Sequence, residues 1–406
     1  MDRNRGRPTL AAVAILALLT VAACTRDGRS GEGASGRATG PPILLGMINQ
    51  ENAPVGSFPE VREGAEAAVR YVNEELGGVG GRPLQLRPCT TTGSPESSRA
   101  CANELVESRP VAIVGGVDLG AVSSLPTLTR AGIPYVGGSP TLGAELTSSS
   151  AFMLSGGTPA DLLGHVQYIV EKLRAKKVAV LYVDLSGVLS AVAPVAREVL
   201  RKKGVTDVKL VAERADAADF TPAVTAANGS RPDAILVVFP AQGCSRIMQA
   251  KQALGVTAKM FYPSACADPG AIDAAGAGAE NAYFAAGYLP YSDSSEENVA
   301  VYLSKVRPAR PSLLSETGFS VVMDLSSLMK DVSGPLTPAT LTAKLKETRD
   351  HPSFLGHSFG CASVPVPLLS SVCNAHVRIL QQRAGRLHDV EGEWVSGAEL
   401  VKLVTG

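Results

Sequence analysis

The stretch from Gly64 to Leu86, GAEAAVRYVNEELGGVGGRPLQL, constrains the fold more than any other part of the chain. Val61, Ala65, Ala68, Val69, Val72 and Leu76 recur at helical spacing, which predicts an amphipathic helix with one buried face. Asn73 and two glutamates crowd the end of that helix, and Gly77, Gly78, Gly80 and Gly81 break it. Pro83 to Leu86 then restarts the chain as an extended strand. Just upstream, Ile43 to Asn49 (ILLGMIN) is a short apolar run suited to a buried strand. Strand, helix, strand in this order implies a parallel pair with a right-handed crossover, and hence an α/β fold.

The alternation continues. Pro110–Gly115 and Ile133–Gly137 read as strands, with a helix over Val122–Arg130 between them. Leu162, Leu163, Val166, Ile169, Val170 and Leu173 mark a helix over residues 160–175, with Asp161 near its start. A second run follows, with strands at Val178–Val183, Val208–Ala212, Ala234–Phe239 and Met260–Tyr262 and helices over Ala191–Lys203 and Cys244–Leu254. Near-continuous apolar strands suit parallel sheets covered on both faces by helices. Two such sheets, in residues 43–157 and 159–285, predict two lobes. The remainder reads as helices (Glu296–Val306, Glu316–Asp331, Pro338–Thr348), a Pro-rich cysteine loop, a strand over His376–Gln381 and a turn at Ala384-Gly385.

The wording of Gly64–Leu86 also resembles the branched-chain amino-acid-binding protein family of type I periplasmic binding proteins. In that family a helix rich in small residues leads into an Asn, a Gly-Gly turn and a strand. The resemblance is diffuse over residues 43–400 and implies two lobes, each a parallel-rich sheet flanked by helices, joined by three crossovers. Lobe 1 would take residues 43–158 and about 286–345, and lobe 2 residues 159–285 and about 346–400. It further implies a monomer that captures a small solute between the lobes and delivers it to an ABC permease. Neither a catalytic residue nor a cofactor is expected. A ligand sensor for a membrane receptor shares fold and crevice and is the alternative reading.

The N-terminus sets the expected compartment. Arg3, Arg5 and Arg7 precede an apolar run from Leu10 to Ala23 that ends at Cys24. Such a run spans about 20 Å, short of the ~30 Å hydrocarbon core, and reads as a signal peptide over residues 1–23. Cys24 either follows an ordinary cleavage site by chance or belongs to a lipobox. Val21-Ala22-Ala23-Cys24 resembles the latter, which implies lipidation of this thiol and an extracytoplasmic chain anchored to the cell membrane. Thr25–Pro42 has no large apolar residue and reads as a disordered tether with a reach of roughly 20–25 Å. The leader takes three Arg and one Asp from a chain with 38 basic and 38 acidic side chains. The remainder is slightly acidic without a basic block, which argues against nucleic acid as a partner.

Six cysteines besides Cys24 allow 15 pairings. Their grouping favours the local bonds Cys89–Cys101, Cys244–Cys266 and Cys361–Cys373, which an exported protein can keep. Free buried thiols are the alternative. No CxxC pair or closely spaced histidines suggest a metal.

One motif points to catalysis. Gly356-His357-Ser358-Phe359-Gly360 matches the G-x-S-x-G nucleophile elbow, which needs a strand before the serine and a helix after it. The residues after Ser358 include Pro365 and Pro367 and cannot make that helix, and Asp389 follows both His376 and His388, against the triad order. A hydrolase built on Ser358 is therefore the weakest reading.

Ligands of open α/β sheets bind at the C-terminal ends of strands. The loops there hold Phe58, Asp118, Ser139, Thr141, Leu142, Asp184, Gln242 and Ser264, the expected ligand-binding residues. Ser139 and Thr141 are suited to a carboxylate or carbonyl, and Phe58, Val117 and Leu142 to an apolar body. The resemblance implies an acid near Ser264 and tyrosines near Val188 and Pro240 to hold a ligand ammonium. This chain lacks all three. Asp184 or Asp118 is the available substitute, and an amide or small carboxylate becomes as reasonable a solute as an amino acid.

Overall fold

The apolar run at Ile43 forms β1 (Ile43–Gln50), all but one of whose residues are buried. The computed structural model describes residues 37–53, 56–141, 143–184, 188–307, 309–366 and 368–405. The leader and Cys24 lie outside them, as does Leu142. Next comes α1 (Pro59–Glu74), whose buried stripe contains Val61, Ala65, Ala68 and Val72. Val69 is partly buried, whereas Leu76 lies past the helix end and is 37% exposed. Gly77, Gly78, Gly80 and Gly81 all adopt positive φ, which turns the chain sharply. Asn73 fastens the two sides of that turn: its Nδ2 donates to the Leu84 carbonyl at 2.8 Å, and its Oδ1 accepts from the Leu84 N–H at 2.7 Å. β2 (Leu84–Thr91) can then pair in parallel along the whole of β1, from Ile43–Leu84 to Gln50–Thr91.

Further β-α units extend this sheet: α2 (Pro95–Ser108), β3 (Ala112–Gly115), α3 (Ala121–Ala131), β4 (Tyr135–Gly137), α4 (Gly143–Thr147) and β5 (Ala151–Phe152). The strand order is β2-β1-β3-β4-β5, with every pairing parallel.

A second sheet is built from α5 (Gly157–Glu171), β6 (Lys177–Val183), α6 (Val188–Lys202), β7 (Asp207–Glu213), α7 (Thr221–Asn228) and β8 (Ala234–Val238). It continues through α8 (Ala241–Ala253), β9 (Lys259–Tyr262), α9 (Pro269–Ala275) and β10 (Tyr283–Ala286). Three helices, α10 (Glu297–Lys305), α11 (Leu313–Lys330) and α12 (Pro338–Glu347), precede β11 (His376–Arg383) and β12 (Arg386–Asp389). The chain closes with β13 (Val395–Ser396) and α13 (Ala398–Thr405). Strands β7-β6-β8-β9-β10 are parallel, and β11 adds antiparallel to β10 and carries β12 and β13. The β11–β12 turn is at Ala384-Gly385, as its sequence suggests.

Met47, Val61 and Ala65 pack with Phe319 and Leu325 of α11 in one core. Two glycines permit that contact. A Cβ on Gly64 would overlap the Ser315 carbonyl, and one on Gly318 would overlap the Val61 carbonyl. The opposite face of the first sheet shares a core with β6, α5 and α6, while β8, α7 and α8 bury Ile235, Val224 and Ile247 in a third cluster.

The chain passes from the first sheet to the second after β5, returns to α10–α12 after β10, and leaves again between Cys373 and β11. Leu355, Phe359 and Cys373 pack with β1 and α11, so much of the stretch expected in lobe 2 from residue 346 shares the first core instead. The reason is a tertiary contact: the Phe354 ring packs tilted against Phe319 of α11 at 5.7 Å, and its N–H donates to Asp324 Oδ1 at 2.6 Å.

The three expected disulfides are formed. They tie β2 to α2, α8 to the turn after β9, and the two ends of the 361–373 loop. Among the described residues no helix is long and apolar enough to cross a membrane.

Candidate functional site

The C-terminal ends of strands from both sheets converge on one cleft. Asn49, at the end of β1, shapes the first wall. Its Oδ1 accepts from the Val117 N–H at 3.1 Å, and its Nδ2 donates to the Phe58 carbonyl at 2.8 Å. Gln50 holds the neighbouring turn through Nε2 on the Gly56 carbonyl at 2.9 Å. Phe58, Val117 and Leu119 thereby face Phe239, Pro240 and Pro263 from the ends of β8 and β9, around a chamber of about 80 Å³. Its polar groups are the hydroxyls of Ser139, Thr141, Thr158 and Ser264, and Leu314 of α11 forms part of the wall.

Two further spaces adjoin it. Ser139, Ser264 and Leu314 also line a chamber of about 20 Å³ with Ser155, Tyr288 and Thr317. On the solvent side, Phe58, Ala241, Ala265 and Leu314 continue into a mouth of about 280 Å³ that carries Glu60, Gln242 and Asp268. A separate depression of similar size between α9 and the β11–β12 hairpin contains none of these residues.

Charge around the cleft has one sign. No Lys, Arg or His lines these three spaces among the described residues. Behind the wall, Thr141 donates its N–H to Glu145 Oε2 at 3.0 Å, and Ser264 donates its N–H to Asp161 Oδ2 at 2.9 Å. Burial pushes the Asp161 carboxyl up to about 7, against the lowering effect of the Ser264 donors. Glu60 is raised as well, first by burial and then by the nearby charges of Asp268, Glu63 and Glu51.

Of the expected ligand-binding residues, the fold brings Phe58, Ser139, Thr141 and Ser264 to the chamber and Gln242 to the mouth. Asp118 is placed otherwise. It is fully buried and accepts from Ser98 Oγ at 2.5 Å, Ser124 Oγ at 2.9 Å and the Gly120 N–H at 3.0 Å, so it organises the entry to α3. Asp184 is exposed and lines none of the three spaces; its N–H donates to the Glu213 carbonyl at 2.7 Å. Neither replaces the missing acid. Tyr288, Ser155, Thr317, Leu314, Glu60 and Asp268 were not anticipated. Tyr288 lies in the loop just after β10, so the strand-end rule that found Ser264 applies to it once β10 is recognised.

Ser358 lies between isolated bridges rather than between a strand and a helix, and its carbonyl faces His357 Nδ1 at 2.9 Å. The His357 ring stacks on His376 at 3.7 Å. The nucleophile elbow is absent.

With this geometry in view, comparison with known proteins identifies the class. A family profile described as periplasmic binding protein matches residues 42–363, and the chain belongs to that family. A curated relative, Leu/Ile/Val-binding protein homolog 3 of Brucella melitensis, is 29% identical over 190 residues. That match covers 45% of this chain and 50% of the relative, so the chain spans about half the length of the curated relative it matches. Among solved structures, the fatty acid ABC transporter substrate-binding protein of Thermomonospora curvata superposes with a TM-score of 0.75 at 16% identity, covering 91% of this chain and 96% of its own. The branched-chain amino acid transporter substrate-binding protein LivJ of Streptococcus pneumoniae, in complex with isoleucine, gives 0.71 at 18% identity over 87% and 99%. At such identities these structures establish the fold: type I periplasmic binding protein, with parallel-rich sheets flanked by helices.

Proposed function

We propose that the protein is an extracytoplasmic solute-binding lipoprotein that captures a small solute in the cleft and delivers it to an ABC permease. The observation that carries this reading is the convergence of loops from both sheets on one partly apolar chamber with neutral hydroxyls. Residues 43–158 with the α10–α12 region and residues 159–285 with the β11–β12 region act as two lobes. They close on the solute by a hinge where the three chain passages run side by side. Gly156 lies against Asn374 and Ala375 there, and Gly287 against Ser155. Lipidated Cys24 and the tether hold the monomer near its permease.

The solute-binding reading is tested by thermal unfolding against a panel of amino acids, amides and small carboxylates. A true ligand at 100 times its dissociation constant is expected to add about 2.7 kcal/mol. No shift with any member would sink the proposal for these classes. Anchoring is read in the same preparation: the Cys24→Ser variant is expected to leave the membrane fraction.

A further inference from the structure

The small chamber holds an unanswered donor. Tyr288 is 4% exposed and lines this space, and its hydroxyl has no hydrogen-bond partner among the described residues. In the adjoining chamber the buried Oγ1 of Thr141 is likewise without a partner. Unpaired buried hydroxyls weigh against the empty protein, and a ligand that pairs them removes that penalty. At about 20 Å³ the space beside Tyr288 takes one water or one polar ligand atom. It opens into the apolar chamber past Ser139, Ser264 and Leu314, which line both.

Charge then narrows the head group. Acids stand around this region: Asp161 behind Ser264, Glu145 behind Thr141, and Glu316 and Asp324, whose ionised forms act on Tyr288. An anionic head beside Tyr288 would be buried without a cation, in a setting of further carboxyls. A neutral carbonyl meets no such penalty.

We infer that Tyr288 is a specificity-determining residue that donates to the carbonyl oxygen of an uncharged amide, whose short apolar body fills the chamber between Phe58 and Phe239. The amide N–H groups then face the hydroxyls of Ser139 and Thr141. This inference rests on the solute-binding reading and selects, within it, neutral amides over carboxylates and zwitterionic amino acids.

The test is calorimetric titration of the full chain, in detergent, with isovaleramide, isovalerate and L-leucine, which share one branched body and differ in charge. Isovaleramide is expected to bind at least roughly tenfold more tightly than either other probe. Tyr288→Phe is expected to weaken isovaleramide about five- to tenfold, the loss of one buried hydrogen bond, while the melting temperature of the empty protein rises, because an unpaired buried hydroxyl is removed. Equal or tighter binding of isovalerate or L-leucine overturns the inference and leaves solute binding intact. An unchanged isovaleramide affinity in Tyr288→Phe removes Tyr288 from recognition. Binding of none of the three also overturns it, and the wider thermal panel then decides separately whether the cleft binds solutes at all. The three-probe comparison on the unaltered chain stands whatever the variant does.

Discussion

A single buried carboxyl, Asp161, links the cleft wall to the pH dependence of stability. Its folded value of about 7 lies above the ordinary 3.8 of an aspartate because burial penalises the charge. The folded state therefore holds a proton that the unfolded state releases as pH rises, and stability falls between about pH 4 and pH 7. Asp324, also raised to about 7 by burial, adds to the same slope. His165 acts at the acid end: burial lowers it to about 3, so stability is lost as pH drops below its unfolded value of 6.5. Asp161→Asn keeps an oxygen to accept from the Ser264 N–H and removes the titration. Its stability gain over the parent is expected to be larger at pH 8 than at pH 5 by about 2–3 kcal/mol, from one pKa unit being worth ~1.4 kcal/mol. Melting curves at the two pH values check this, and an equal difference at both would show that Asp161 titrates normally. In sequence, Asp161 reads only as a favourable acid near a helix start. Its partner lies 103 residues away, beyond what local spacing reveals. Asp118 misleads for the same reason, since Ser98 and Ser124 claim it from inside the core.

At the scale of elements, the glycines of α1 and α11 are an interface. Gly64 and Gly318 each lie against a backbone carbonyl of the opposite helix, and an added methyl has no flexible side chain to displace. The helices must separate. Gly318→Ala is expected to destabilise by about 1–3 kcal/mol through overpacking, despite the better helix propensity of alanine. Chemical denaturation that shows a neutral or stabilised variant would disprove the close approach. This contact also explains which parts of the fold were legible. The strand–helix–strand unit was readable because α1 has one buried stripe and Asn73 with the glycines marks its end. α5 and β6 were readable because their apolar positions are periodic or continuous. β10 was not: it is only four residues long, YFAA, after an Ala- and Gly-rich stretch that carries no period. Losing β10 also lost Tyr288. Similarly, the core allegiance of residues 351–373 depends on Phe354 meeting Phe319, a tertiary contact with no local signature.

For the whole molecule, the proposed closure brings like charges together at the mouth. Glu60 comes from α1 beside the first sheet, Asp268 caps α9 beside the second, and both line the same space. Burial raises the Glu60 carboxyl and the nearby Asp268 adds to that rise, so repulsion between these two acids is expected to oppose closing across this mouth. Gln242 presents its side-chain amide toward Gly56 across the same gap, so neutral groups can meet there without that opposition. Glu60→Gln removes one charge and keeps a hydrogen-bonding tip. Because the pair is partly solvated, its effect is bounded by the small values of exposed ion pairs, about 0.2–1 kcal/mol. Affinity for a neutral solute is therefore expected to rise by roughly 1.4- to 5-fold, and the gain should shrink as salt screens the pair. Asp268→Asn retains an oxygen for the Ala271 N–H and so preserves the cap of α9. Combining the two substitutions should give less than the product of the single effects, because either one alone abolishes the repulsion. Titrations of the parent, both single variants and the double variant at low and high salt measure this directly. Independent effects, or a loss of affinity in Glu60→Gln at low salt, would mean that Glu60 and Asp268 do not oppose each other in the liganded form.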